Sequence, residues 1–207
     1  MNNSRGFLER PCKSLMALIV LALVATSASS STVKRIGTDE LVKKSTMVFQ
    51  GEVQDRWSGI DRGYITTFVR FSVEDVVKGE FKESTLILRF LGGEHDGVVD
   101  IVDGSNVPAV GERGIYFVES ASTPMVNPLY GWTQGHFLLR VDEGGTDRVY
   151  TLGGEPVRAL EATETPLTLE ITHGYAAGVV VSAQANAQPL AAVEFKQMVL
   201  QILEAQE

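Results

Sequence analysis

MVFQGEVQDRW at residues 47–57 and YITTFVRFSVEDVV at residues 64–77 are the two stretches that decide the fold. Apolar residues recur at every second position in both, and a period of two is typical of a half-buried β-strand. In the first stretch, the residues predicted to share the inward face are Met47, Phe49, Gly51, Val53 and Trp57. The glycine-containing loop Ser58–Gly63 joins the two stretches, so the sequence predicts an antiparallel hairpin.

Outward from this hairpin, the same period continues in shorter stretches separated by glycine-rich turns. The further strands predicted are Thr85–Leu91, Ile115–Val118, His136–Val141 and Arg148–Leu152, with short strands possible at Val98–Val102 and Leu167–Thr172. Thr38 or Asp39 is expected to cap a short N-terminal helix. Many short strands with flanking helices predict a mainly β fold, a small OB-like barrel of antiparallel strands.

The C-terminal segment changes to a helical period. Its apolar residues fall at spacings of three and four: Phe195, Met198, Val199, Ile202 and Leu203. Such a stripe predicts an amphipathic helix at residues 190–207, joined to the barrel by a low-complexity linker at residues 183–189. The stripe is expected to pack against the barrel or against a partner.

The N-terminal segment predicts that the protein is exported from the cytoplasm. Three basic residues precede the apolar run Leu15–Ala25, and small residues follow it, which is the layout of a signal peptide. We expect cleavage near residue 28, which leaves the barrel domain at residues 29–182 and no membrane span, since the run is too short for one. Cleavage also removes Cys12, the only cysteine, so the exported chain has no disulfide. The sequence does not separate the periplasm from full secretion.

Charge narrows the classes of partner. The formal charge is −8, and loss of three basic residues and one acidic residue with the signal peptide makes it −10. Nucleic-acid-binding domains usually carry a basic surface, so the sequence argues against a nucleic-acid partner. A protein partner in the periplasm or outside the cell is the expectation, and the oligomeric state stays open.

Several short words of the sequence resemble known proteins. They are Val48-Phe49-Gln50-Gly51-Glu52-Val53, then Phe68-x-x-Phe71-x-Val73-x-x-Val76-x-Lys78-Gly79, then Val110-Gly111-Glu112-Arg113 before Tyr116-Phe117-Val118. Over Met47 to Val118 the chain resembles uncharacterised exported bacterial proteins. Its layout is similar to the OB-type barrel of netrin-like modules and tissue inhibitors of metalloproteases. The resemblance implies only the barrel, because those inhibitors use a disulfide-bonded N-terminal cysteine that this chain lacks.

An aromatic and polar cluster is the candidate binding site. Tyr130, Trp132, Gln134 and His136 alternate, so an extended segment would direct all four to one side. Two aromatic rings beside an amide and an imidazole suit a carbohydrate or peptide groove. The same pattern would equally close the end of a barrel as part of its core.

A metal site is the alternative. His95 and Asp96 lie in a glycine-flanked loop, where an imidazole and carboxylates could bind a cation. Adjacent residues of an extended chain point to opposite sides, so a zinc site would need His136 or His173 to lie beside His95. On this hypothesis the protein binds metal or is a metal-dependent hydrolase.

The sequence carries no motif for catalysis or for a cofactor. It lacks the Gly-x-Ser-x-Gly nucleophile elbow and the glycine patterns that hold phosphates. We therefore expect no cofactor and a non-enzymatic binding module of unknown ligand, with an exported protease as one candidate partner. A structural role in the cell envelope is a third hypothesis that the sequence does not separate from the first.

Overall fold

The computed structural model describes residues 33–170, 174–182 and 188–206. The predicted signal peptide, His173 and most of the predicted linker lie outside these ranges. Within them, the strands are β1 (Met47–Asp61), β2 (Tyr64–Lys78), β3 (Thr85–Leu91), β4 (Gly93–His95), β5 (Val98–Asp100), β6 (Arg113–Val118), β7 (His136–Val141), β8 (Asp147–Thr151), β9 (Val157–Leu160) and β10 (Val179–Val181). The α-helices are α1 (Thr38–Lys44) and α2 (Ala192–Glu204). No helix of the described ranges is long and apolar enough to cross a membrane.

Six of these strands form one antiparallel sheet in the order β3-β2-β1-β6-β7-β8. Two small antiparallel ribbons, β4 with β5 and β9 with β10, accompany it. The prediction of a mainly β, antiparallel fold with two short helices is confirmed. In the part of the chain that the structure describes, β3 and β8 end the sheet and do not pair with each other.

The central hairpin is longer than the sequence predicts. Residues 58–61, predicted as loop, continue β1 and pair with the start of β2, with Ser58 opposite Thr67 and Asp61 opposite Tyr64. Only Arg62 and Gly63 form the turn, with φ angles of 51° and 86°. Positive φ at both positions is typical of the two-residue type I′ turn, whose twist matches that of the strands. Gly59 therefore lies within a strand, and the predicted loop was wrong.

Both faces of the sheet are buried over part of their extent. One face packs against both helices around Phe117, Phe137 and Phe195, with the Phe137 and Phe195 rings 4.8 Å apart. The opposite face encloses a second cluster around Phe49, Phe71 and Tyr116. We call the first the helix side and the second the inner side. The Phe71 and Tyr116 ring centroids lie 4.8 Å apart although β1 separates their strands, so large rings close the inner side.

Helix α1 is held by backbone-directed contacts rather than by the predicted cap. Gly37 is the N-cap, and Thr38 lies inside the helix, where its hydroxyl donates to the Glu161 carbonyl. The prediction of Thr38 or Asp39 as the cap was wrong. At the other end, Lys78 Nζ donates to the carbonyls of Val42 (2.6 Å) and Ser45 (2.7 Å), satisfying acceptors that a helix end leaves unpaired.

Helix α2 is amphipathic, as the period of the sequence predicts. Phe195, Val199 and Ile202 are buried against the helix side of the sheet. Lys196 on the same helix pairs with Asp75 of β2 at 2.7 Å. The apolar stripe thus packs against the protein's own sheet, which was one of the two possibilities that the sequence left open.

Candidate binding face

The predicted aromatic and polar cluster lies in a tight turn, not in an extended segment. Residues Trp132–Gly135 form a 3-10 helix, and Gly131 and Trp132 both have positive φ (67° and 60°). A 3-10 turn directs successive side chains around its axis, so alternation in sequence does not place them on one side. Tyr130, Trp132, Gln134 and His136 accordingly contact different parts of the protein.

Gln134 and Tyr130 of this cluster hold residues 34–40, which include the start of α1, in place. Gln134 is fully buried; its Oε1 accepts from the Ile36 N–H (3.0 Å) and its Nε2 donates to the Lys34 carbonyl (3.0 Å). The Tyr130 hydroxyl donates to Glu40 at 2.6 Å. Hydrogen bonds from Thr165 and Tyr130 hold the pKa of Glu40 below its ordinary value. These contacts occupy the polar groups that a groove would present to a ligand.

His136 belongs to a buried acid, imidazole and phenol cluster on the inner side. Its Nε2 lies 2.7 Å from Glu112 Oε1, to which the Tyr116 hydroxyl also donates at 3.3 Å. Burial opposes ionisation of Glu112, but contacts from His136, Ala109 and Tyr116 outweigh it, and the pKa of Glu112 lies below its ordinary value. Burial and the Glu112 charge raise the pKa of Tyr116. With His136 1% exposed, the cluster is enclosed and braces the inner side.

A second polar network lies on the helix side. It is centred on Arg113, the residue after Glu112. Arg113 makes paired hydrogen bonds to Glu74 (2.8 and 3.0 Å) and to Asp147 (2.6 and 3.0 Å). Gln50 adds a 2.8 Å bond to Glu74. The Arg113 hydrogen bonds hold the pKa of Glu74 below its ordinary value. Because β1, β2, β6 and β8 all contribute, the network ties the sheet together across its strands.

The candidate metal ligands stay apart in the structure. His95 Nε2 lies 3.5 Å from Asp96, whose side chain is largely exposed, whereas His136 is enclosed against Glu112. His173 is outside the described residues. Over residues 33–170, 174–182 and 188–206, no three His, Cys, Asp or Glu side chains are grouped closely enough to hold a metal ion.

A partly exposed aromatic and apolar surface lies on the far half of the central hairpin. We call it the hairpin face; it comprises Trp57 of β1, Phe68 and Arg70 of β2, and Ile87 and Arg89 of β3. These residues are cross-strand neighbours: Trp57 pairs with Phe68, Phe68 with Arg89, and Arg70 with Ile87. Trp57 is 37% and Ile87 42% exposed. The hairpin face is thus an apolar surface with two arginines, each paired with an aspartate of β1: Arg70 with Asp55 and Arg89 with Asp61.

Ring stacking holds the centre of the hairpin face in one arrangement. The Trp57 and Phe68 rings are stacked with centroids 5.5 Å apart and planes 12° apart. The Arg70 guanidinium lies 5.0 Å from the Trp57 ring centroid and 3.3 Å from Asp55. Rings and guanidinium are therefore placed before any ligand arrives, which lowers the entropy cost of binding.

A small cleft continues the hairpin face toward the turn of the hairpin. Its volume is about 120 Å³, and its walls include Tyr64, Thr66, Leu91, Pro124 and Met125. Thr66 and Leu91 are the next cross-strand pair after Phe68 and Arg89 on the same side of the sheet, so the cleft and the face are contiguous. The cleft is large enough to receive one apolar side chain of a partner.

A β-bulge places Trp57 on the side of the sheet opposite to the one that alternation predicts. Val53 pairs with Phe71 but Asp55 pairs with Arg70, so one extra residue lies in β1 at this point. A bulge of this kind reverses the side to which later residues point. Alternation predicts Trp57 on the inner side. After the bulge it lies on the opposite side of the sheet instead. The signal was Asp55, a charged residue at a position where the pattern required an apolar one.

No protein-family model matches the chain, and neither a curated protein nor a solved structure is significantly similar to it.

Proposed function

We propose that the protein is an exported, non-enzymatic binding module that engages another protein through the hairpin face. The observation that carries the proposal is the stacked Trp57–Phe68 pair, exposed beside Ile87 and two arginines. Both helices pack further along the sheet, where α2 contacts the other end of β2 through Lys196 and Asp75. The hairpin face is thus the part of the sheet that they leave uncovered.

The composition of the face favours a protein ligand. Tryptophan, tyrosine and arginine are enriched among the residues that supply most binding energy in protein interfaces. An ordered aromatic centre with a cleft beside it is also the usual form of such a hot spot. The negative formal charge of −8 disfavours nucleic acid.

We further propose that the protein is exported and that its fold is related to the netrin-like barrel. Export rests on the basic, apolar and small-residue order of the first 28 residues. For the small OB-like barrel, the supports are the bulges of β1 and the ring cluster on the inner side. The resemblance to netrin-like modules rests on short sequence matches such as Lys78-Gly79. Lys78 donates a hydrogen bond to a carbonyl at the C-terminal end of α1. An exported protease remains one candidate partner.

The test is affinity capture from the exported fraction with three versions of the whole chain. Wild type is compared with a Trp57→Ser, Ile87→Glu variant and with Leu200→Glu, since Leu200 is an apolar residue of α2 with a matching 40% exposure. We expect one or more proteins retained by wild type and Leu200→Glu but not by the hairpin-face variant. Retention of the same proteins by all three versions would refute the proposal.

A further inference from the structure

Within the described ranges, the outer edge of β3 has backbone groups that do not bond to another strand. Gly92 N–H donates to Ile65 and Val73 N–H donates to Ser84, which sets the alternation of hydrogen-bonded pairs between β2 and β3. Leu86, Leu88 and Phe90 fall in the hydrogen-bonded positions. The N–H and C=O groups of Thr85, Ile87 and Arg89 therefore point away from β2, to the edge of the sheet.

The two ends of the sheet differ in how they are covered. At β8, the Val149 N–H donates to the Leu190 carbonyl and the Thr151 N–H donates to the Glu155 carbonyl. Other segments of the same chain therefore satisfy the outward backbone groups of that edge. At β3, the Leu91 N–H donates to Val126 and the Arg89 guanidinium donates to the Ser122 carbonyl, so the loop before Asn127 contacts only this end of the strand. Among the described residues, Thr85, Ile87 and Arg89 have no backbone partner on their open side.

We propose that this edge of β3 receives an extended segment of the protein partner as an added strand. The inference rests on the proposed function, because the added strand would lie along the border of the hairpin face. Strand addition satisfies the open N–H and C=O groups through main-chain hydrogen bonds, while side-chain neighbours give selectivity. Residues 120–126 beside the far end of β3 would limit the segment to about the length of Thr85–Arg89.

The side chains of β3 define the chemistry of that segment. Ile87 and Arg89 lie on the exposed side of the strand, and directly opposed residues of an added strand approach within about 5.5 Å. Opposite charges in such pairs stabilise a sheet and like charges destabilise it. Arg89 already contacts Asp61 at 3.6 Å and donates to the Ser122 carbonyl at 2.7 Å. A guanidinium can bind two carboxylates, as Arg113 does elsewhere in the sheet. The segment accordingly carries a carboxylate that shares Arg89 with Asp61 and an apolar residue opposite Ile87. The partner is thus a protein with an extended, apolar and acidic segment.

The experiment uses linear peptides selected on the full exported chain from a randomised 12-residue library. Amide hydrogen exchange is followed by NMR with and without a selected peptide. We expect the Ile87 and Arg89 amides to exchange fast in the free protein and at least tenfold more slowly in the complex. The Leu86 and Leu88 amides, already bonded to β2, are protected in both states and serve as the internal control.

A matched pair of variants supplies a second measurement. Proline is tolerated at edge positions whose N–H faces outward, so Ile87→Pro removes the donor without breaking a bond to β2. We expect Ile87→Pro to weaken peptide binding at least tenfold, and Ile87→Thr, which keeps the N–H, to weaken it much less. N-methylation of the peptide residue opposite Arg89 is expected to match the loss caused by Ile87→Pro.

The outcomes separate the two proposals. Peptides that shift the Trp57 indole signal but leave the Ile87 and Arg89 amides unprotected would overturn strand addition and keep the hairpin face as the binding surface. Selected peptides without acidic residues would overturn the predicted chemistry of the segment. Peptides that perturb neither Trp57 nor β3 would contradict the proposed function itself.

Discussion

Glu112 is the residue on which the inner side depends most for its polar groups. Its carboxylate accepts from the Tyr116 hydroxyl and contacts Nε2 of His136, both of which are buried. Removing a shared acceptor leaves buried donors unsatisfied, which costs about 1–3 kcal/mol each. We expect Glu112→Ala to lower the free energy of unfolding by about 2–3 kcal/mol, measured by urea denaturation. Glu143→Ala, at an exposed turn, is the control and should stay within about 0.5 kcal/mol of wild type.

Lys78 joins the central hairpin to the first helix through its charge. Its ammonium group donates to three carbonyls at the end of α1, those of Val42, Lys43 and Ser45. A hydrogen bond that involves a charged group contributes about 1.5–3 kcal/mol to the free energy of unfolding. We expect Lys78→Met to destabilise the protein by about 2 kcal/mol and the exposed Lys82→Met to have almost no effect. Equal unfolding midpoints for the two variants would contradict this role.

At the scale of elements, the turn of the central hairpin gives a direct test of its geometry. Arg62 has a φ of 51°, a conformation that costs ordinary residues about 1 kcal/mol and that asparagine adopts more readily. We expect Arg62→Asn to raise the free energy of unfolding by about 0.5 kcal/mol. Arg62→Val, β-branched at the same position, should lower it. A loss of stability in Arg62→Asn would show that the turn is not of the type I′ class.

The elements also show where sequence patterns are sufficient. Alternation identifies β3 and the middle of β2 because buried and more exposed positions alternate there, whereas residues 47–51 of β1 are buried on both sides. The period of α2 identifies its buried stripe. Alternation does not reveal the bulge before Asp55, since one inserted residue reverses sides without changing composition. It also fails at Trp132–Gly135, where positive φ at Gly131 and Trp132 winds the chain into a turn. The hairpin face follows from that bulge, and the sign of it in the sequence is Asp55, a charged residue at a position where alternation requires an apolar one.

At the scale of the whole molecule, partly buried carboxylates in hydrogen-bond networks make the stability depend on pH in the acidic range. The pKa values of Glu40, Glu74 and Glu112 all lie below the ordinary 4.5. A group with a lowered folded-state pKa stabilises the fold above its unfolded pKa, and this contribution is lost as the pH falls through the folded pKa. We expect the free energy of unfolding to be nearly constant between pH 7 and about 5 and to fall below pH 4.5.

Urea denaturation at a series of pH values measures this dependence. Glu112→Gln should flatten the profile below pH 4.5, because its side chain no longer titrates. Glu143→Gln, on an exposed turn, is expected to leave the profile as in wild type. Stability that rises on acidification through this range would contradict the assignment of these carboxylates.

The central claim, that the hairpin face binds a protein, is tested most directly by site-specific photo-crosslinking. Benzoylphenylalanine replaces Ile87 in one version of the chain and Leu200 in another, two apolar positions with nearly equal exposure (42% and 40%). The account predicts a discrete protein adduct from position 87 in the exported fraction, suppressed by excess wild-type chain, and none from position 200. An adduct only from position 200, or none from position 87, would contradict it.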